Sequence, residues 1–162
     1  MLLRSRPAST CEPSNIKPDC TYNSDFDCGQ PIKAPGLVST TVCNCHDCRK
    51  ITASMFSSLV VVLASETTHT RGREKLTKFE QSKTIESGNN MENHFCSVCG
   101  TLMYRISSAY PEFLVARLGT VDDFSLHETL LRPKVEGYTK DRVCWFQGAE
   151  GAKQFIDGNV TL

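Results

Sequence analysis

Three cysteines inside six residues, Cys43-Asn44-Cys45-His46-Asp47-Cys48, constrain this chain more than any other feature. A C-x-x-C turn points two sulfurs to one side, and the C-x-C partner adds a third from the adjoining extended segment. The three thiols can therefore converge on one soft cation. Three protein ligands leave one position of a tetrahedral zinc for water or substrate, as catalytic sites do, whereas structural sites are closed by four. His46 could be that fourth donor and close the site, although a residue between two ligands of a tight turn usually points away. A redox pair at Cys45 and Cys48 would be expected beside a βαβ pattern, and the sequence has none.

A second motif, Cys96-Ser97-Val98-Cys99-Gly100, is the half-site of a zinc knuckle, where glycine allows the backbone to approach the thiolate. Cys28-Gly29 repeats the Cys-Gly element upstream, so a second metal shared by Cys28, Cys96 and Cys99 is expected. Its fourth ligand stays open between Cys20, Cys11, an oxygen of Asp25 or Asp27, and water. The cysteines number nine in all, an odd count with no secretory signal, which argues against a disulfide scaffold and for a reducing, cytoplasmic compartment. Cys144, within Val143-Cys144-Trp145-Phe146, reads as a small buried apolar side chain. His69 and His127 read as surface residues, and His94 either orients a ligand from two residues before Cys96 or is merely packed. There is no G-x-S-x-G elbow, P-loop, G-x-G-x-x-G or H-E-x-x-H motif.

The rest of the chain is ordinary enough to fold as one domain: 162 residues, 40% apolar and 22% charged. Lys plus Arg and Asp plus Glu each total 18, which removes the electrostatic reason to expect nucleic acid or an anionic membrane as partner. The longest apolar stretch, Leu59 to Ala64, falls far short of the ~20 residues a membrane-spanning helix needs. Residues 1–24 read as an irregular lead-in and 25–162 as a zinc-binding domain; Asn159-Val160-Thr161 matches a glycosylation sequon that lacks a secretory context. Strands are predicted over 55–64, 75–81, 92–95, 101–106, 113–118 and 142–146, separated by Gly, Pro, Asn and Ser turn signals. Leu102, Tyr104 and Ile106 alternate with Met103 and Arg105, the period of a half-buried strand. Helical signal is thin: a turn capped by Asp123 through Leu126 and Leu130, and a short helix over 149–156 ended by Gly158. The expectation is a mainly β, small antiparallel domain with little helix, whose loops are held by zinc.

These residues resemble the glutathione-dependent formaldehyde-activating enzymes and their relatives, which include centromere protein V. The resemblance runs from about Cys28 to Phe146. It is carried by Cys43-x-Cys45-x-x-Cys48-Arg49-Lys50, by Ser87-Gly88-Asn89 leading into His94-Phe95-Cys96-x-x-Cys99-Gly100, by Ala116 to Asp123, and by Lys134 to Trp145. It implies a tent-like, mainly antiparallel β fold with two zinc sites: a catalytic one at Cys43, Cys45 and Cys48, and a structural one of which Cys96 and Cys99 form half. The family's other half is C-x-C-G, and here Phe26 stands where its first cysteine is expected, beside Cys28-Gly29.

By the same resemblance the activity expected is that of a carbon-sulfur lyase, joining glutathione as co-substrate to formaldehyde or a related small carbonyl. Arg49 and Lys50 would either attract glutathione carboxylates or form a solvated basic pair. The competing reading is a zinc-stabilised interaction module without catalysis. The lead-in to Val42 carries four basic and four acidic residues, not the basic tail that would support cytoskeletal or chromatin binding. Small-molecule thiol and carbonyl partners, with neither nucleic acid nor membrane, are therefore the expectation.

Overall fold

The most apolar run of the chain builds the middle of a sheet. In the computed structural model, which describes residues 36–158, the segment SSLVVVL forms strand β2 (Ser57–Leu63). Consecutive β-branched residues suit a strand buried on both faces. β2 pairs antiparallel with β1 (Leu37–Cys43) on one side and β6 (Tyr110–Arg117) on the other. With β3 (Leu76–Gln81), β4 (Met91–Cys96), β5 (Leu102–Ser107), β7 (Val135–Gly137) and β8 (Lys153–Gln154), they form an eight-stranded sheet in the order β3-β4-β5-β6-β2-β1-β7-β8. The first six strands are mutually antiparallel, as expected; β7 joins β1, and β8 joins β7, in parallel. Among the described residues the α-helices are α1 (His46–Thr52) and α2 (Ser125–Glu128). Among the described residues no helix is long and apolar enough to cross a membrane.

Strand alternation divides the sheet into two working faces. Val60, Val62, Leu114 and Ala116 point to one face, where they pack with Tyr104, Leu118, Val121, Leu126 and Leu131 as the main core. Leu59 and Val115 point to the other, beside Cys43 and Cys48. Met103 is an extra residue in β5: His94 pairs Tyr104 while Phe95 pairs Leu102, a bulge that lets Met103 join the core on the same side as Tyr104. Leu131 has no exposed surface, so Leu131→Ala is expected to destabilise the protein by about 2–5 kcal/mol, read as a lowered urea midpoint with unchanged slope.

Five of the six predicted strands form, within about three residues of their expected limits. The sixth, over 142–146, does not: a 3-10 turn at Thr139–Asp141 runs into a loop. Its side chains are engaged singly, Arg142 on Glu136 and Phe146 stacked on Phe56 at 4.4 Å, while the free edge of β1 is already taken by β7. Cys144 is consequently exposed, not buried. The helix expected over 149–156 is instead a turn and β8; Gly151 adopts φ 77°, and Phe155 N–H donates to Glu136 O, continuing the β7 pairing. Asp123 Oδ1 accepts from Ser125 N and Oγ, but the N-cap position of α2 falls on Phe124, which makes no side-chain cap bond, and α2 ends before Leu130. His69 and His127 are half-buried, not at the surface. His94 is packed: its ring stacks on Tyr104 at 4.4 Å with Nε2 3.5 Å from Glu92. β1, β7 and β8 have no counterpart among the predicted elements. Cys11, Cys20, Asp25, Phe26, Asp27, Cys28, the lead-in and the sequon lie outside the described residues.

Candidate metal centre

The three-cysteine motif lies at the passage from β1 into α1. Cys43 is the last residue of β1, and Asn44 behind it is fully buried. Asn44 Nδ2 donates to Glu136 Oε1 at 2.9 Å and to Gly137 O at 3.2 Å, which ties the end of β1 to β7. Glu136, itself without exposure, also accepts from Ala149 N and Arg142, so a buried polar knot fixes the backbone under the motif. Cys45 is the N-cap of α1: its backbone is extended, and its Sγ accepts the Cys48 N–H at 3.3 Å. The helix thus turns Cys48 back beneath Cys45. It stops after seven residues at Ala53, whose left-handed φ of 51° lets its N–H and that of Ser54 close on Lys50 O and Arg49 O.

The Sγ atoms of Cys43, Cys45 and Cys48 all lie within 4.8 Å of one another, and no fourth His, Cys, Asp or Glu joins them among the described residues. His46 does not close the group. Its side chain is 72% exposed and its Nε2 lies 3.9 Å from Asp141. Arg49 turns to Asp141 O and Met55, and Lys50 is exposed.

Two arginines that the sequence did not single out lie behind the sulfurs. Arg105 on β5 is 4% exposed and Arg117 on β6 is 5% exposed. Arg105 donates to Asp47 Oδ2 at 2.6 Å and to Cys48 Sγ at 3.4 Å; Arg117 donates to Ser57 Oγ at 2.6 Å. The remaining Arg117 nitrogens, Nε and the second terminal nitrogen, have no hydrogen-bond partner among the described residues. Burying guanidinium ions this way is costly unless negative charge lies beside them. Asp47 answers Arg105, and the sulfurs are what is left for Arg117. The alternation of Leu102, Tyr104 and Ile106 fits a half-buried strand, but Arg105 on its other face is buried too and floors the site.

The electrostatics follow this arrangement. Hydrogen bonds from Cys43 and Cys45 hold the Cys48 thiol well below its ordinary pKa, against the effect of burial, and the charges of Arg105 and Arg117 lower it further. Cys43 is displaced well upward by its hydrogen bonds to Cys45 and Cys48 and by burial. For Cys45 the contact with Cys43 lowers the pKa, but Cys48 and burial outweigh it and raise it to about 11. Three thiols thus share one negative charge, a donor set short of cationic charge and made of soft sulfur, which fits a divalent zinc ion. Three thiolates on such an ion leave one negative charge, matched by Arg117.

A cavity of about 300 Å³ opens from the sulfurs, walled by Leu59, Val61, Val115, Met91, Ile85 and Tyr138, and continues into a wider one of about 670 Å³. Tyr138 adopts a left-handed φ of 55°, uncommon for a bulky residue, and its hydroxyl lies against Gly158, where a Cβ would collide with it. Burial, helped by the negative charges of Cys45 and Glu86, pushes its hydroxyl up to about 12, so it stays protonated.

The second motif forms the knuckle turn its sequence predicts. Gly100 takes φ 74° and its N–H donates to Cys96 O at 2.8 Å, between β4 and β5. Cys96 is buried, and Cys99 is exposed with Sγ 3.2 Å from Thr101 Oγ1. Their expected partner Cys28 lies outside the described residues.

No curated protein matches the chain. A crystal structure of a Rhodobacter sphaeroides protein, a structural genomics target, aligns with a TM-score of 0.42 at 17% identity, covering 54% of this chain and 78% of that one. The model of the glutathione-dependent formaldehyde-activating enzymes matches residues 25–141, a span that includes both cysteine motifs, β1 to β7 and the two buried arginines. The chain belongs to the glutathione-dependent formaldehyde-activating enzyme family.

Proposed function

We propose that the protein is a zinc-dependent carbon-sulfur lyase that catalyses the reversible addition of a thiol to formaldehyde or a related small carbonyl compound. The observation that carries the reading is the convergence of three sulfurs, with no fourth protein donor among the described residues, at the floor of a cavity. Cys43, Cys45 and Cys48 would hold the zinc. When bound there, the ion would lower the pKa of a substrate thiol so that the thiolate predominates near neutral pH.

The chain's own residues supply the rest. Arg105 and Arg117 favour the anionic form of the Cys48 sulfur, and the knot around Glu136 fixes the strand end that carries Cys43. Leu59, Val61 and Val115 exclude water from the reacting atoms, which strengthens every charge interaction there. In the reaction the thiol sulfur bonds to the carbonyl carbon, the carbonyl π pair moves to oxygen, and oxygen takes the proton that sulfur gave up. Nothing is oxidised or reduced.

The test is exchange NMR of labelled formaldehyde with glutathione, the family's own thiol, comparing zinc-loaded protein, no protein and Cys45→Ser. Faster exchange with the intact protein alone is the expected result. No acceleration with glutathione or any other thiol by a protein whose zinc content is intact would sink the catalytic reading and leave the cluster a structural role, whereas failure with glutathione alone would change the thiol and keep the reaction.

A further inference from the structure

The thiol consumed in the proposed reaction has to reach the sulfurs through the cavity above them, and the described residues that line it suit an uncharged body. Leu59, Val61 and Val115 lie on one face of β2 and β6, with Val61 directly opposite Val115. Met91 and Tyr138 border both the inner and the wider part, so the apolar wall is continuous between them. The inner volume of about 300 Å³ lies at the small end of the range of roughly 300–1,000 Å³ for ligand sites, enough for an aryl ring or short alkyl chain.

The charged groups lining this space are acidic or already engaged. Among the described residues only Arg105 and His46 could offer a positive charge. Arg105 is committed to Asp47 and Cys48, and His46 is mostly exposed beside Asp141. Lys140 reaches the Tyr138 ring at 5.7 Å, but its ammonium is held by Glu86 at 2.9 Å. Glu86 and Asp157 contribute carboxylates to the wider part. A thiol carrying carboxylates, as glutathione does, would desolvate them here with no unengaged cation among the described residues to pair them.

We propose, resting on the reaction assigned above, that this groove selects a thiol with an uncharged, apolar body, aryl or alkyl, over an anionic thiol such as glutathione. Non-reacting thioethers test the groove apart from the chemistry. Benzyl methyl sulfide and S-methylglutathione are titrated into the zinc-loaded full chain by ligand-observed NMR. In parallel, benzyl mercaptan and glutathione are compared in formaldehyde exchange. The apolar thioether is expected to bind at least about tenfold more tightly. Met91→Lys, at the half-buried start of β4, is expected to weaken it and to strengthen S-methylglutathione binding, whereas Met91→Leu keeps the original order. Circular dichroism verifies that both variants fold.

Equal or tighter binding of S-methylglutathione by the unmodified protein, no binding of either thioether, or a preference that Met91→Lys leaves unmoved would each overturn the assignment. The two readings fail separately. A thioether preference as stated with no exchange of either thiol removes the reaction and keeps the groove. Accelerated glutathione exchange with the preference reversed removes the groove and keeps the reaction.

Discussion

Replacing Cys48 with serine is expected to lower the zinc content by about one ion per chain, to abolish accelerated formaldehyde exchange, and to lower the melting temperature in the presence of zinc. Cys48 carries the largest effect because it is the most constrained of the three sulfurs. It is 3% exposed, its backbone N–H is bound to Cys45 Sγ, and its own Sγ receives Arg105. A serine hydroxyl is a poor zinc ligand at neutral pH and takes the nearest sulfur from both buried guanidinium groups, of which only Arg105 keeps a carboxylate, Asp47. An ion that binds the native state alone stabilises it by about 4 kcal/mol when its free concentration is ~1,000 times its dissociation constant, and that contribution disappears with the site. Elemental analysis of protein purified without chelator gives the zinc count, and a thermal melt with and without added zinc gives the linkage. Cys144→Ser is the matched control: its thiol is exposed and lies in the loop after Thr139–Asp141, so the zinc count should not move. A Cys48→Ser protein with a full zinc complement would show that the cluster is not the metal site.

The same residue shows how far local sequence reaches. The C-x-C-x-x-C spacing was enough to predict that three sulfurs meet, because the convergence is made within one strand end and one helical turn. Five strands were legible for a similar reason: β-branched runs and period-two alternation act over a few residues. What could not be read depends on partners far along the chain. β7 is a short strand whose existence rests on the edge of β1 about ninety residues earlier, β8 rests in turn on β7, and neither has a strand-like pattern of its own. β1 itself, LVSTTVC, mixes Ser and Thr into its alternation because Thr40 and Thr41 are buried, with Thr40 Oγ1 donating to Arg132 O. Cys144 was misplaced because its apolar neighbours imply a strand, whereas Arg142 and Phe146 have distant partners that hold the segment as a loop. A lone arginine in an alternating strand carries no local sign that it faces a cluster of thiols contributed from fifty-seven residues away.

That arginine supports the second large expectation. Arg105→Met should destabilise the protein by about 3–5 kcal/mol, the scale for breaking a buried ion pair from one side. The side chains of Arg105 and Asp47 are only 5% and 13% exposed and meet at 2.6 Å, so solvent screens the pair little. Asp47 also accepts from Gln81 and Thr84, so it joins α1 to the end of β3 as well as to β5, and stranding its charge loosens two contacts at once. Asp47→Asn combined with Arg105→Met should lose less than the sum of the single losses by about 0.5–3 kcal/mol, because no charge is then left without its partner. Stability alone would not separate a packing role from an electrostatic one, and the thiolates do. In the metal-free protein the Cys48 thiol is held below its ordinary value partly by the charge of Arg105, so removing that charge must raise it. The ultraviolet thiolate absorbance of metal-free Arg105→Met should therefore appear at higher pH than in the unmodified protein, while Arg105→Lys, which keeps the charge but not the forked geometry, should restore much of the shift and less of the stability. Unchanged thiolate titration in Arg105→Met would reduce the residue to packing and leave Arg117 as the charge that holds the Cys48 sulfur anionic.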